Sequence, residues 1–436
     1  MKPAELRLMD TDTKLASSTS PDARQRARLA WIAALLVALA ALALAFTAAP
    51  RETDDLGRHF FGVWRTRHAL VALTLGWIAL ACLAARSRAA RRRFGAFWAS
   101  AFCAWILAEG LGFAGFVDYS RFLAAPTEEL HGRRAIPHLD VSGETHEDLA
   151  MLWNLDTPPI AYHFRTDQRG FRNALDRENA EIYCVGDSCL VAGLVPFEET
   201  LAARLERLCD RTVMNVALVG LSPQAESELL REAHLPLDGR LVLHFVFEGN
   251  DLRDSASWRM QELGAAETES WKRRTLGHRL VEWLQLVSQP QPALVARRTG
   301  YIGEVPYRFQ WVASSFQGLE AELDAITECL ASERREVEEA GGRFAVVGIP
   351  ATIRVLGPLC TFPPGSDLAD WRAHCGPLPE HLRAWSEREH VPYLDLTPAL
   401  EAAARSGDIP WFPADTHWNS VGHRVAAEAL AAWSVV

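Results

Sequence analysis

Apolar and polar residues along this chain follow three regimes. In the first, Leu29 to Ala49 supplies 21 residues without a charge, Ala69 to Ala85 supplies 17, and Phe94 to Val117 forms a third run broken by Glu109. A helix of about 20 apolar residues crosses about 30 Å of hydrocarbon, so the pattern predicts three transmembrane helices near 29–49, 69–85 and 94–117. Residues 118–160 form the second regime and read as a polar, Pro-containing connector. In the third, from residue 161 to 436, short β-branched runs bounded by Gly, Asp or Pro alternate with stretches of helical spacing. Strands are expected at 181–185, 212–216, 241–247, 343–349 and 391–395, with helices near 197–208, 223–233, 316–340, 378–389 and 420–433. Such alternation predicts a parallel sheet covered by helices on both faces. Residues 252–315 interrupt it as an insertion with little strand character, although Leu276 to Val287 has amphipathic helical spacing.

Arginine placement orients the apolar segments. Arg24, Arg26 and Arg28 precede the first, and Arg86, Arg88, Arg91, Arg92 and Arg93 fill the second connection. Positive residues favour the cytoplasmic side, so residues 1–28 are expected to be a cytoplasmic tail and everything beyond about 118 to lie outside, on the periplasmic face of a multi-pass protein of the cytoplasmic membrane. A cleaved signal peptide is the rival for the first run, but the run is longer than a usual h-region. Glu109 is an intramembrane carboxylate on this topology unless the span ends before it.

Composition narrows the chemistry. The formal charge of −10 argues against nucleic acid as a partner, and 49% hydrophobic residues suit a core plus membrane spans. Eight cysteines form no C-x-x-C pair. No metal-ligand set and no phosphate-binding glycine loop is visible, so a mechanism without cofactor or metal is expected. Cys360 and Cys375 bracket a Pro/Gly-rich loop, where a disulfide makes sense only in an oxidising compartment.

One stretch carries the candidate chemistry. Ile182 to Val185 is an apolar strand that runs into Gly186-Asp187-Ser188, so a hydroxyl stands where strand hands over to helix. Free N–H groups and the positive end of the dipole at a helix start can stabilise an oxyanion. A second strand ends in Gly249-Asn250-Asp251, and Asp415-Thr416-His417-Trp418-Asn419 lies just ahead of the last helix. In this order the blocks resemble the SGNH or GDSL hydrolase superfamily over about residues 160–436. Tyr162 to Arg172, ending in Gly170-Phe171-Arg172, resembles the lead-in of many bacterial members. One departure is clear: the superfamily usually spaces its last block as Asp-x-x-His, whereas a single residue separates Asp415 from His417.

The resemblance implies a three-layer, flavodoxin-like α/β fold and a serine esterase acting by a Ser-His-Asp mechanism. Ser188 is then the nucleophile, His417 the base and Asp415 its orienting acid, with Asp395 as a fallback. The oxyanion donors are the N–H groups of Ser188 and Gly220 and the Asn250 amide. Asp187 and Asp251 hold turns, Arg172 forms a structural ion pair, and His423, Trp418 and Asn419 shape the start of the last helix. With an outer location, the expected substrate is an O-acyl group, above all acetyl, on an envelope glycan or else a lipid ester. Hydrolysis and transfer to a sugar hydroxyl are chemically close, and transfer calls for an envelope protein partner that supplies the donor. A non-catalytic, glycan-binding or assembly protein that keeps the fold is the alternative.

Overall fold

A computed structural model describes residues 136–436 apart from 154, 174–175, 263–274, 279 and 281–291, and before them residues 59–60, 64–65, 74–82, 87–114 and 116–117. The chain divides into two compact units. Within the described residues of the first, His59–Gly110, residues 74–82 are helical and Trp77 packs on Phe94 and Trp98 of the helix Arg88–Phe113. That helix is long and apolar enough to cross a membrane, and Phe97, Phe102 and Leu107 stand exposed on it. It begins six residues before the expected span, because Arg88 to Arg93 continue the same helical turns. Three spans are therefore not seen: one such helix is present among the described residues, the expected 29–49 span lies outside them, and of 69–85 the described helical part is 74–82.

The second unit, Leu111–Val436 with residues 52–58, holds the α/β fold. Five parallel strands form its sheet: β3 (Ile182–Gly186), β4 (Val213–Ala217), β5 (Leu241–Phe247), β8 (Arg343–Ile349) and β9 (Tyr393–Asp395). Their spatial order is β9-β8-β5-β3-β4, with Ile182 opposite both Val213 and Leu241, and Val346 opposite Tyr393. The first strand in sequence therefore sits between the second and the third, which is the flavodoxin-like order. Side chains alternate across the sheet as the period of two requires. Ile182, Cys184, Leu243, Phe245 and Val347 pack on one face with helices α3 (Leu201–Cys209), α8 (Thr397–Ser406) and α9 (Ser420–Ala431). Tyr183, Val185, Val242, Val246 and Val346 pack on the other with α4 (Pro223–Glu232), α6 (Glu320–Glu339) and α7 (Leu378–Glu389). Both faces being covered, the strands read as near-continuous apolar runs.

Two regions depart from the sequence expectation. Within 118–160, residues described as a connector contain β1 (Asp140–Thr145) and α1 (Asp148–Trp153), and β1 pairs antiparallel with β2 (Ile160–Arg165). The 252–315 insertion opens with α5 (Asp251–Glu262) and ends in a hairpin of β6 (Thr299–Ile302) and β7 (Val305–Arg308); most of Leu276 to Val287 lies outside the described residues. The hairpin meets the loop ahead of α9, where the Arg308 N–H donates to the Pro413 carbonyl at 2.9 Å.

Candidate active site

At the carboxyl end of β3 the chain turns sharply. A Cβ on Gly186 would stand 2.9 Å from Leu190 Cδ1 and 3.2 Å from Phe245 Cβ, so glycine lets the turn close against its neighbours without displacing them. Asp187 then caps α2 (Ser188–Val191), its carboxylate accepting from the Cys189 N–H at 3.0 Å. Ser188 is thereby fixed as the first residue of this single turn of helix. The far end of α2 is held by Arg172, whose buried guanidinium donates to the carbonyls of Val191 at 2.8 Å and Val195 at 2.6 Å and to that of Ala192. Arg172 thus forms carbonyl bonds in place of the expected ion pair.

From the loop before α9, His417 reaches the serine. Its Nε2 lies 2.8 Å from Ser188 Oγ, and its Nδ1 lies 2.6 Å from Asp415 Oδ1. The single intervening residue suffices because Asp415 Oδ1 also accepts from the His417 backbone N–H at 2.8 Å, a tight turn that folds the carboxylate under its own imidazole. Asn419 caps α9 through the N–H groups of Val421 and Gly422, and its amide donates to the carbonyls of Ile409 and Trp411, tying the loop at its base. The strands before Ser188 and Asn250, β3 and β5, are neighbours at the switch point of the sheet, where sites form in such folds.

The three expected oxyanion donors are placed unequally. The Ser188 N–H stands at the start of α2. Gly220 follows β4 in a left-handed turn at φ +70°, a conformation that disfavours any side chain. The Asn250 amide is engaged otherwise, donating to Asp187 Oδ2 at 3.2 Å and to Asp254 Oδ2 at 2.7 Å. Asp251 holds its turn by accepting from the Phe247 N–H at 2.6 Å. Asp395 is far from this group in role: it pairs with Arg383 and accepts from the Thr397 N–H.

Sequence reasoning missed Asp148, at the start of α1. Its carboxylate accepts from the Thr416 N–H at 2.9 Å and from the Thr416 hydroxyl, and Oδ2 lies 3.7 Å from His417 Nδ1. In return, the Asp148 N–H donates to Asp415 Oδ2 at 2.8 Å, and the N–H groups of Leu149 and Ala150 donate to the Ala414 carbonyl. Nothing local marks Asp148, one acid among several in a polar stretch.

Charge in this cluster is unusual. Burial draws the His417 imidazolium down, yet Asp415, Asp148 and Asp187 outweigh it and hold it up to about 9. Burial and the Asp415 charge push Asp148 up to about 7. His423, fully buried against Trp418, is lowered to about 3 by burial and by Arg172, and so stays neutral. Burial holds the Cys189 thiol well above its ordinary value, which leaves it unactivated beside the serine. Cys360 and Cys375 are free thiols. Asp148, Asp415 and His417 form the one histidine–carboxylate group among the described residues close enough to share a cation. Their facing atoms already bond one another, Thr416 and Ser188, so the group is a hydrogen-bonded triad extended by one acid.

Residues 313–434 match the family model described as SGNH hydrolase-like domain, acetyltransferase AlgX. This match includes Asp415 and His417 and ends short of Ser188 on the N-terminal side. No curated protein matches the chain. Among solved structures, the acetyl xylan esterase AlAXEase is similar at 11% identity and a TM-score of 0.33, covering 57% of this chain and 96% of its own. The protein YxiM from Bacillus subtilis is similar at 12% identity and a TM-score of 0.31, covering 63% of this chain and 66% of its own. Residues 313–434 are thus similar to an SGNH hydrolase-like domain, within a flavodoxin-like sheet that carries Gly186-Asp187-Ser188 and Asp415-Thr416-His417 at one edge.

Proposed function

We propose that the chain is a membrane-anchored serine esterase or acyltransferase that works on O-acyl groups outside the cytoplasm. The observation that carries this reading is the unbroken line Ser188 Oγ, His417 Nε2, His417 Nδ1, Asp415 Oδ1, at 2.8 and 2.6 Å. Nucleophile, base and orienting acid need this reach and this order. In the reaction His417 Nε2 takes the Ser188 proton as Oγ attacks the acyl carbonyl. The resulting oxyanion meets the Ser188 and Gly220 N–H groups, and the imidazolium then returns its proton to the departing alcohol. Water or a second hydroxyl, deprotonated by the same nitrogen, resolves the acyl-enzyme.

For the Asn250 amide to join them, it has to leave Asp187 or Asp254 when substrate binds. The family description, an acetyltransferase, favours acetyl as the acyl group. The exposed apolar helix Arg88–Phe113 supports membrane anchoring, and the arginines of the expected cytoplasmic segments support an outer location for the α/β unit.

The test compares the full-length protein with Ser188→Ala for labelling by a fluorophosphonate and for turnover of short-chain p-nitrophenyl esters. Labelling and turnover are expected in the first and absent in the second. A folded wild type that neither labels nor turns over removes the enzyme reading and favours the non-catalytic glycan-binding or assembly protein.

A further inference from the structure

We propose that Asp148 is a second positioning carboxylate for His417, so that the base is held by acids from both ends of the α/β unit. This rests on the serine-hydrolase reading and specifies how its base is set.

The geometry gives Asp148 two tasks. Its Oδ1 accepts from the Thr416 N–H at 2.9 Å and its Oδ2 from the Thr416 hydroxyl, which fixes the residue between Asp415 and His417. The same Oδ2 stands 3.7 Å from His417 Nδ1, within range of a strong charge interaction. The bond that runs back, from the Asp148 N–H to Asp415 Oδ2 at 2.8 Å, engages the second oxygen of the orienting acid. Asp415 therefore has both oxygens occupied, one by His417 and one by Asp148, and its plane is set.

The charged groups that face the imidazole are Asp415 from its own loop, Asp148 from α1 and Asp187 from the nucleophile turn. Glu147 feels the Asp415 charge from the other side and is offset by Arg308, and His423 and Arg172 are the basic groups nearby. Of the three acids, Asp187 caps α2 and Asp415 bonds the ring directly. Asp148 is the one whose charge can be removed while both of those contacts remain.

Serine activation requires neutral His417, so the rate of fluorophosphonate labelling rises with pH along a limb that follows the His417 proton. Asp148→Asn keeps an oxygen for the Thr416 N–H and removes the charge. The limb is expected to move to lower pH by about one unit, as loss of an opposite charge at this distance implies. The plateau at high pH is expected to fall about tenfold, because the imidazolium formed during attack loses a stabilising neighbour. A residue that merely supports the fold lowers the plateau or the folded fraction and leaves the limb in place. Asp148→Glu, which keeps the charge, should return the limb toward that of wild type.

Full-length wild type, Asp148→Asn, Asp148→Glu and Ser188→Ala are to be labelled across pH 5 to 10.5, with thermal melts as the check on folding. Should the asparagine variant not fold, Asp148→Ser serves in its place, since its hydroxyl is small, uncharged and able to accept from an N–H. An uncharged variant that folds, labels and keeps the wild-type limb overturns the proposal. Absence of Ser188-dependent labelling in wild type instead overturns the hydrolase reading beneath it.

Discussion

Ser188 Oγ and His417 Nε2 stand 2.8 Å apart, although 229 residues separate them in the chain. The contact joins the turn after the central strand β3 to the loop before the last helix, and each side is fixed by its own cap, Asp187 on one and Asn419 on the other. The Ser188 hydroxyl also lies 3.3 Å from Asp187 Oδ2; on the proposed mechanism it is the imidazole proton that decides whether the serine is activated.

A consequence follows for pH. His417 is held up to about 9, so near neutrality most molecules carry the imidazolium, which cannot take the serine proton. Raising the pH removes that proton, and kcat/KM for a neutral ester should rise from pH 7 through 9 and level off above about 10. Measured at fixed ionic strength, with the uncatalysed rate subtracted, a profile already flat at pH 6 contradicts this assignment of charge.

Asn250 separates two carboxylates. Its amide donates to Asp187 at 3.2 Å and to Asp254 at 2.7 Å. Asn250→Ala leaves both acids short of a donor and should cost about 1–3 kcal/mol. Asn250→Asp puts a third acid between them and should cost more, the excess growing from pH 5 to pH 8 as the introduced carboxyl ionises. Urea melts of the two variants at both pH values give the comparison; equal losses at pH 8 argue that the amide does not bridge these groups.

Another buried charge group lies on the sheet face covered by α4 and α6. His244, on β5, is fully buried between Glu226 at 2.9 Å from Nε2 and Glu333 at 2.8 Å from Nδ1. Burial alone draws this imidazolium down, but Glu333 and Glu226 outweigh it and hold it up to about 10. His244→Ala strands two carboxylates in the core and is expected to cost about 3–5 kcal/mol in a denaturant melt. Adding Glu226→Gln should recover part of that loss, since one buried charge is removed; a double variant no more stable than the single one speaks against the pairing.

Much of this was legible in the sequence, and the reasons are local. The five sheet strands are apolar and β-branched runs closed by turn residues, and each of the expected runs falls on a strand of the sheet. That Ser188 meets Asp415 and His417 could be expected because Gly-Asp-Ser ends such a run and the other two precede a capped helix. Helix α8 carried a signal that went unread: Thr397-Pro398 at its start and Gly407 in a left-handed conformation at its end. Asp148 carried none. Its role comes from a backbone bond across 267 residues, and no local pattern encodes a partner at that distance. Asn250 was read by its motif as an oxyanion donor, whereas its bonds to Asp187 and Asp254 depend on which loops meet at the sheet edge. His244 shows the same limit, since a histidine within Leu241–Phe247 gives no hint of the two acids brought to it by α4 and α6.

The reciprocal bonds between Asp148 and the Asp415-Thr416 segment also set where the chain can be cut. A piece beginning at β3 retains Ser188, Asp415 and His417 and all five strands of the sheet, and by its motifs looks complete. It lacks the carboxylate that grips Thr416, the N–H that engages Asp415, and Arg172, which closes the end of the serine's own helix. A piece that keeps these contacts therefore begins upstream of the sheet, no later than Asp148 at the start of α1.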